Sequence, residues 1–562
     1  MKVSHNNSEL NTKLTATTGA STTRRGLLLG ASALGFFGAN MVPMRALAQT
    51  AIDPETIPGP SWAGGAMGGR GINVWGDSRV DFDPLLAYGR ADYYNLANFF
   101  RGLTYLSVGS EPQLDLASSV EISADGLVYT FKLRDGIMFH HGRQAVAEDF
   151  RWSIERAVSP EKASWVQGFM TSVVGYDDFV AGAVPGLAGL GALDDRTIVI
   201  TLSKPDARLL STLGIPPFYV LPRDEVERLG DEFLTHPVGT GPYKWVSYDG
   251  ANNQMIAARF EDYIYHGHLP YLDEIEVRWN VTSDIQYLQV VRGDADLSLG
   301  IPASVVPDIM ADAALAERFA TLDALDVSWW AFSVTKPPFN DVRVRQAVNL
   351  AFDRSRASVF GINPTGHLLP PSLLGFSDSA PIYAHDPDRA RALLAEAGLT
   401  DLELKIGVFG ATSGVSVRIA QLIAQDLEAV GIRTVLEQRQ ETAFDIGSAL
   451  SDEYDMWNMG WGMGLPDPSE LTASLFGTGG AANFGGYSNP ALDAKALDAI
   501  SITDRDVRAV AYAEIEAELL RDAPFLFVGV AQLNSLRSAR LQNFAFDAAL
   551  WTYWDRYWVA GA

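Results

Sequence analysis

Residues 123–150 read SADGLVYTFKLRDGIMFHHGRQAVAEDF, and this segment is the most informative part of the chain. The pair Asp125-Gly126 is typical of a turn, and a large apolar residue then stands at every second position of 127–133. Alternation of period two after a turn predicts a strand with one buried face. The segment therefore places a half-buried strand early in the fold.

Strand and helix patterns continue on both sides of this segment. A second alternation, at 275–279, predicts another strand with one core face. Asp386 is a candidate N-cap, Pro387 takes the first helical position, and Gly398 ends the helix. A further helix is expected to begin after Asn340 or Asp341, with an apolar face formed by Val344, Ala347, Val348 and Ala351. Because strands and helices mix along the chain, the sequence predicts an α/β fold.

Five separated segments resemble the extracellular solute-binding proteins of the dipeptide, oligopeptide and nickel ABC importers. The segment quoted above is close to the central signature of that family. The other four are PVGTGPYK at 237–244; LPYLDEI at 269–275 with GDADL at 293–297; KPPFNDVRVRQA at 336–347; and YDM at 454–456, GWG at 460–462 and PDP at 466–468, followed by YSNP at 487–490. Their order matches the family, and they span nearly the whole chain after the amino-terminal region.

The resemblance implies a type II periplasmic binding protein. This fold is a three-lobed flytrap with mixed sheets flanked by helices and a hinge between its two main lobes. The boundaries expected are lobe I at 49–85, 190–328 and 527–562, lobe II at 86–189, and lobe III at 329–526. A solute would be enclosed between lobes I and III as the hinge closes, and closure supplies contacts that neither lobe makes alone. The implied partners are a small-molecule or peptide-like solute and an ABC transporter membrane permease.

Residues 456–462, MWNMGWG, form the most informative aromatic cluster. A period of two places Trp457, Met459 and Trp461 on one side of a strand and Asn458, Gly460 and Gly462 on the other. In peptide-binding relatives this strand edge pairs with the backbone of an extended peptide, so that main-chain hydrogen bonds give affinity without reading side chains. Trp457 is expected in the core, whereas Trp461 fits either the core or a cover over a ligand side chain.

One position departs from the family pattern. Peptide-binding relatives carry an aspartate three residues after the tryptophan of this motif, where its carboxylate holds the free ammonium of the peptide. Here that position is Gly464, and the next acid, Asp467, lies in a Pro-Asp-Pro sequence that indicates a structural role. A buried ammonium without its counter-charge costs several kcal/mol. We therefore expect Gly460-Trp461-Gly462-Met463-Gly464 to line a cleft that binds unmodified dipeptides and tripeptides poorly.

Two further segments are candidates for ligand contact. Trp329-Trp330 precedes the segment at 336–347, where the chain is expected to cross from lobe I into lobe III, and Trp330 is the one predicted to face the cleft. Tyr88-Gly89-Arg90 falls where relatives place contacts from lobe I. Arg90 fits a bidentate pair with a ligand carboxylate, or else a solvated surface position.

The amino terminus carries the pattern of an export signal. Arg24-Arg25 precede an uncharged segment from Gly26 to Met44, and Ala46-Leu47-Ala48 follows as a small-x-small cleavage site. The paired arginines resemble a twin-arginine signal, which implies the twin-arginine export machinery as a partner and a mature chain from Gln49. A membrane anchor is the alternative, but the glycines and polar residues of the segment make it a poor span.

Charge and cysteine content narrow the possible functions. Removal of residues 1–48 takes away five basic residues and one acidic residue, which changes the net charge from −25 to −29. Such a chain is repelled by nucleic acid and by anionic lipid. The absence of cysteine excludes disulfides, thiolate metal sites and a lipid-modified cysteine. An exported binding protein without a lipid tether is expected to be free in a periplasm, as a monomer.

The sequence gives little support to an enzyme or a cofactor. It lacks a phosphate-binding loop, a zinc-binding His-Glu-x-x-His helix and a Gly-x-Ser-x-Gly nucleophile turn. His140-His141 and His266-x-His268 are interpreted as parts of turns, with nickel or haem ligation as the alternative. The leading hypothesis is a binding protein for a peptide or peptide-like solute. The alternatives are a binding protein for a sugar-like or opine-like conjugate, a periplasmic hydrolase on the same scaffold, and a chaperone-like protein that holds unfolded chains.

Overall fold

The structure is a computed structural model that describes residues 65–77, 81–87, 90–107, 109–162, 164–263, 270–410, 414–545 and 552–561. The predicted signal, its cleavage site, Tyr88-Gly89 and His266-x-His268 therefore lie outside the described residues. The described strands are β1 (Arg70–Val74), β2 (Thr104–Leu106), β3 (Pro112–Leu114), β4 (Ala117–Ile122), β5 (Val128–Leu133), β6 (Leu190–Asp194), β7 (Thr197–Thr201), β8 (Tyr243–Asp249), β9 (Gln254–Arg259), β10 (Glu274–Arg278), β11 (Leu297–Ser298), β12 (Phe319–Phe332), β13 (Ile362–Asn363), β14 (Leu402–Phe409), β15 (Ile432–Arg439), β16 (Met456–Gly462), β17 (Phe525–Arg537), β18 (Leu541–Gln542) and β19 (Trp558–Val559).

Helices connect and cover these strands. They are α1 (Arg90–Leu96), α2 (Ala147–Val158), α3 (Tyr176–Val180), α4 (Leu209–Thr212), α5 (Arg223–Leu229), α6 (Ser283–Arg292), α7 (Val306–Ala311), α8 (Ala313–Ala316), α9 (Val342–Ala351), α10 (Pro387–Glu396), α11 (Val415–Ala429), α12 (Ala443–Ile446), α13 (Leu450–Glu453), α14 (Pro490–Ile500) and α15 (Arg505–Asp522). Within the described ranges, no helix is long and apolar enough to span a membrane.

One large mixed sheet carries most of the chain. Its spatial order is β15-β14-β16-β12-β17-β11-β1-β10-β9-β8, and β13 pairs with β17 off this path. The long strands β12 and β17 are antiparallel and continue from one half of the sheet into the other. Their register shifts between Asp323 and Val327 and again between Ser328 and Trp329. Such irregularities bend a pair of strands, and we expect the hinge between the halves to lie in these two strands.

A separate antiparallel sheet has the order β4-β5-β7-β6. Tyr129, Phe131 and Leu133 of β5 are buried and the intervening side chains are not, as the alternation predicts. This sheet extends past residue 189, where the sequence predicts the end of lobe II. Strand β7 pairs with β5 and strand β6 pairs with β7, so the sheet includes residues 190–194 and 197–201.

The helix predictions agree with the structure. The side chain of Asp341 accepts a hydrogen bond from the backbone of Arg343, and Val344, Ala347, Val348 and Ala351 are buried along α9. Asp386 caps α10 in the same way, and Pro387 is its first residue. The first described residues are hydrogen-bonded to the rest of the fold. The amide of Gly68 donates to the carbonyl of Tyr271, and Arg70 pairs with Glu274 in the sheet.

Candidate ligand-binding site

Among the described residues, strand β16 is only partly paired along one side, which we term its open edge. It pairs with β12 along its whole length, but its parallel pairing with β14 covers only Met456 and Trp457. At the next residue, the Asn458 side chain bonds to the last residue of β14 in place of backbone pairing. Its Oδ1 accepts from the amide of Phe409 at 2.7 Å and its Nδ2 donates to the Phe409 carbonyl at 3.1 Å. The rest of β16 extends beyond the end of β14.

The backbone of Gly460 and Gly462 faces this open edge. At the two ends of the β12–β16 ladder, the Ser333 amide donates to the Asp455 carbonyl and the Met463 amide donates to the Leu325 carbonyl. Because backbone groups alternate direction along a strand, the odd-numbered residues bond to β12 and the even-numbered ones point away. Gly460 and Gly462 are also exposed. This arrangement can accept one more strand from an extended ligand.

The alternation predicted for 456–462 is present in the structure. Trp457 is fully buried and Met459 is 5% exposed, whereas Trp461 is only partly buried. The indole of Trp461 donates to Oε1 of Glu470 at 2.6 Å, which fixes the orientation of its ring. Trp461 therefore stands beside the open edge with a held ring, in a position suited to covering a ligand group.

Glu470 organises the loop that follows β16. Its Oε1 also accepts from the Gly464 amide at 3.1 Å, and its Oε2 accepts from the Leu465 amide at 2.6 Å. The side chain is buried, and burial raises its pKa to about 7 against the opposing effect of these three donors. The sequence reasoning missed this residue. Its only sequence signal is an acid shortly after the Pro466-Asp467-Pro468 motif.

We expect ionisation of Glu470 to make the folded protein less stable as the pH rises. The folded state holds this proton more tightly than the unfolded chain does. The stabilisation that comes from protonated Glu470 is therefore complete below about pH 4.5, and it is lost as the pH rises through about 7. A shift of this size corresponds to roughly 3 kcal/mol. Urea unfolding of wild type and Glu470→Gln from pH 4 to 8 measures it, and Glu227→Gln on the surface is the control. Equal pH slopes in wild type and Glu470→Gln would contradict the assignment.

Asp467 has the structural role predicted for it. Its two carboxylate oxygens accept hydrogen bonds from the two terminal guanidinium nitrogens of Arg508, at 2.8 and 2.9 Å. Its Oδ1 also accepts from the backbone amide and the hydroxyl of Ser469. Arg208, which is paired with Asp206, reaches the Ser469 hydroxyl at 3.5 Å. The carboxylate is thus fully engaged inside the protein and is not presented to a ligand.

Gly464 is covered by side chains from other parts of the chain. The Tyr93 hydroxyl donates to its carbonyl at 3.0 Å, and a Cβ added at this position would lie 2.2 Å from the ring of Trp165. Met463 is 9% exposed. Of the predicted segment 460–464, the structure therefore leaves Gly460 and Gly462 exposed and encloses Met463 and Gly464.

The other predicted contacts include Trp330 and Arg90. Trp330 is 2% exposed and packs in an apolar cluster on one face of β12, while Trp329 packs in the cluster on the opposite face. Both faces of this central strand are covered, so the Trp330 side chain is not accessible to a ligand. Trp330 is therefore not part of the proposed site. Arg90 is the first residue of α1, and its side chain lies outside the described part of the chain.

A cavity of about 150 Å³ lies next to strand β17. Its lining includes Trp75, Asp77, Tyr94, Gln286 and Leu533. Tyr94 neighbours Tyr93 on α1 and donates to the Asp77 carboxylate. A cavity of this volume holds a group of about the size of benzene, which is less than a drug-sized ligand occupies. It suits one end or one side chain of a solute.

His140 supports a turn, in agreement with its interpretation from the sequence. The Gly239 amide donates to its Nδ1 at 3.2 Å, and its Nε2 lies 3.0 Å from the Gly241 carbonyl, which makes Nε2 the protonated nitrogen. Burial lowers its pKa to about 4. Both ring nitrogens are thus hydrogen-bonded to the segment at 237–244. His141 lies near Asp224 and Glu225, but Arg143 and Arg228 already pair with those carboxylates.

The comparisons with known proteins agree with this architecture. A profile described as bacterial extracellular solute-binding proteins, family 5 Middle, matches residues 111–483. The chain belongs to this family. Heme-binding protein A of Haemophilus influenzae is 29% identical over 488 residues, which cover 81% of this chain and 85% of the relative. Di/tripeptide-binding protein 2 of Pseudomonas aeruginosa is 30% identical over 384 residues, which cover 64% and 70%.

One solved structure of another binding protein has the same fold as this chain. It is the ABC transporter-associated periplasmic binding protein DppA from Helicobacter pylori in complex with the peptide STSA. The TM-score is 0.71 at 24% identity, with 88% of this chain and 98% of that chain covered. The predicted type II periplasmic binding protein fold is confirmed. The lobe boundaries and the ligand-contacting residues remain predictions, apart from the changes described above.

Proposed function

We propose that the protein is the periplasmic capture component of an ABC importer and that it binds a peptide-like solute. The observation that carries the proposal is the open edge of β16, where Gly460 and Gly462 present backbone groups beside the held ring of Trp461. An extended ligand backbone would add to this edge as a further strand. The curated relatives named above bind heme and di- or tripeptides by their names, which leaves the solute open within the family.

Closure of the cleft would deliver the solute to a membrane permease in one recognisable conformation. Contacts between distant segments already join the lobes. The Ala207 amide donates to the Ile500 carbonyl at 3.0 Å, and Arg208 reaches Ser469. A binding protein needs only to release its solute after this step, and we propose binding without turnover. Export through the twin-arginine route by Arg24-Arg25, followed by a free monomer in the periplasm, completes the proposal.

We expect the protein to become more compact when its solute binds, since a ligand that contacts both lobes stabilises the closed hinge. Mass spectrometry of the protein purified under native conditions identifies the bound solute. Small-angle X-ray scattering then compares the stripped protein with and without that solute. A decrease in the radius of gyration at one-to-one stoichiometry, with the solute recovered unchanged, supports the proposal. Conversion of the solute into a product, or an unchanged radius at saturation, would contradict it.

A further inference from the structure

The cavity of about 150 Å³ lies where two parallel strands end. Strands β1 and β11 pair in parallel in the large sheet. The residues that directly follow them line the cavity, namely Trp75, Gly76 and Asp77 after β1 and Leu299 and Gly300 after β11. In α/β folds, ligands bind in the crevice outside the carboxyl ends of parallel strands. The cavity therefore has the position of a binding site.

Gln286 of α6 forms one wall of this cavity. Its Oε1 accepts from the Ser298 hydroxyl and its Nε2 donates to the Val281 carbonyl, each at 2.6 Å. A Cβ added at Gly76 would lie 3.1 Å from this amide, and one added at Gly300 would lie 2.9 Å from it. The two glycines thus let the backbone pack closely against Gln286. Because the amide is engaged on both sides, it shapes the cavity and leaves the charge of the site to other residues.

Asp77 is the one charged residue in the described lining of the cavity. Its carboxylate accepts a hydrogen bond from the Tyr94 hydroxyl, and no basic side chain of the described residues forms an ion pair with it. Asp77 is exposed, so its carboxylate is accessible from solution. A carboxylate in a cleft without a basic neighbour attracts cations.

The N-terminus of α6 also reaches the cavity, at Ser283. A helix N-terminus carries a partial positive charge of about half a unit, which by itself favours an anion. Asp284 in the first turn of α6 offsets this partial charge. Since Asp77 adds a full negative charge, the field in the cavity favours a cation.

Trp75 and Tyr94 give the cavity an aromatic wall. Their ring centroids are 4.9 Å apart with an angle of 48° between the planes, and the side chains are 2% and 3% exposed. Aromatic rings attract organic cations and pack against their alkyl groups. A metal ion needs several oxygen or nitrogen ligands, whereas the described lining offers a single carboxylate. Rings beside one carboxylate therefore suit an alkylated ammonium.

We infer that this cavity binds an alkylammonium group of the solute, with Asp77 as its counter-charge. The inference rests on the proposed function, because the group is one end of the captured solute. Trp461 pairs with Val327, and Val327 pairs with Val530 of β17, three residues before Leu533 in the cavity lining. From strand geometry, the open edge of β16 and the cavity are roughly 14 Å apart, the length of about four extended residues.

The test compares small cations with uncharged molecules of the same shape. The probes are choline with its carbon isostere dimethylbutanol, and butylammonium with butanol. Their affinities for the stripped protein are measured by saturation-transfer NMR titration at fixed ionic strength. Wild type is expected to bind each cation at least tenfold more tightly than its uncharged counterpart, because hydrogen bonds and contacts to a charged group are the stronger ones.

Asp77→Asn should reduce this preference to about twofold or less and leave the affinity for dimethylbutanol unchanged. Since Asp77 is exposed, the variant should unfold at the wild-type urea midpoint. Asp284→Asn is the matched control, because it removes an acid next to the cavity but outside its lining. This control should keep most of the preference.

The possible results separate the inference from the proposed function. Equal affinity of wild type for a cation and its counterpart, or a preference that Asp77→Asn retains, would overturn the inference. A preference lost equally in Asp284→Asn would also overturn it, since the general negative field would then attract the cation. Compaction of the protein by a native solute without an amine would overturn the inference alone. An Asp77-dependent preference without compaction by the native solute would support the cation site and contradict the proposed capture function.

Discussion

Asp467→Ala is expected to lower the free energy of unfolding by about 3–5 kcal/mol, because it leaves a buried guanidinium without its partner. The side chains of Asp467 and Arg508 are each only 7% exposed, and their two short hydrogen bonds are bidentate. Arg208 also depends on this carboxylate, since the charge of Asp467 is among the causes that raise its pKa. Removal of one acid thus affects two buried cations.

Urea denaturation of the protein at neutral pH measures this loss. The matched control is Glu227→Ala, which breaks the Arg223–Glu227 pair on α5, where both side chains are more than half exposed. Exposed pairs contribute about 1 kcal/mol or less, so the control should unfold close to the wild-type midpoint. If the two variants lost similar stability, the buried network around Asp467 would not have the role assigned to it.

Local patterns in the sequence were sufficient to predict the elements that bear on the site. The alternation in 456–462 separated the buried Trp457 from the exposed glycines, and the caps Asp341 and Asp386 marked the starts of two helices. These features depend on neighbours within a few residues. The order of the five family segments supplied the global fold, which local patterns alone do not determine.

The sequence did not predict the contacts between segments that lie far apart in the chain. The contact between Trp165 and Gly464 joins segments that lie far apart in the sequence, and nothing near either residue encodes it. The burial of Glu470 depends on the loop that folds over it, so its neighbours in the sequence do not predict its role. Trp330 was assigned to the cleft on the assumption that one face of β12 is open, but both faces are covered.

Trp457→Ala is expected to affect mainly stability and Trp461→Ala mainly solute binding, although the two residues lie on the same side of one strand. Trp457 is fully buried, and truncation of a buried tryptophan costs about 3–5 kcal/mol of stability. Trp461 is partly buried beside the open edge, so its truncation should cost less than half as much stability. The same change should weaken solute binding at least tenfold, because the aromatic cover is lost.

The experiment combines urea denaturation of both variants with calorimetry, using the solute identified from the native protein. Trp461→Phe separates the two roles of that residue. It keeps an aromatic face for the ligand but removes the indole N–H that bonds to Glu470 at 2.6 Å. Affinity that survives in Trp461→Phe and is lost in Trp461→Ala assigns the effect to the ring face. Affinity unchanged in Trp461→Ala would exclude Trp461 from the site and would move the ligand away from the open edge of β16.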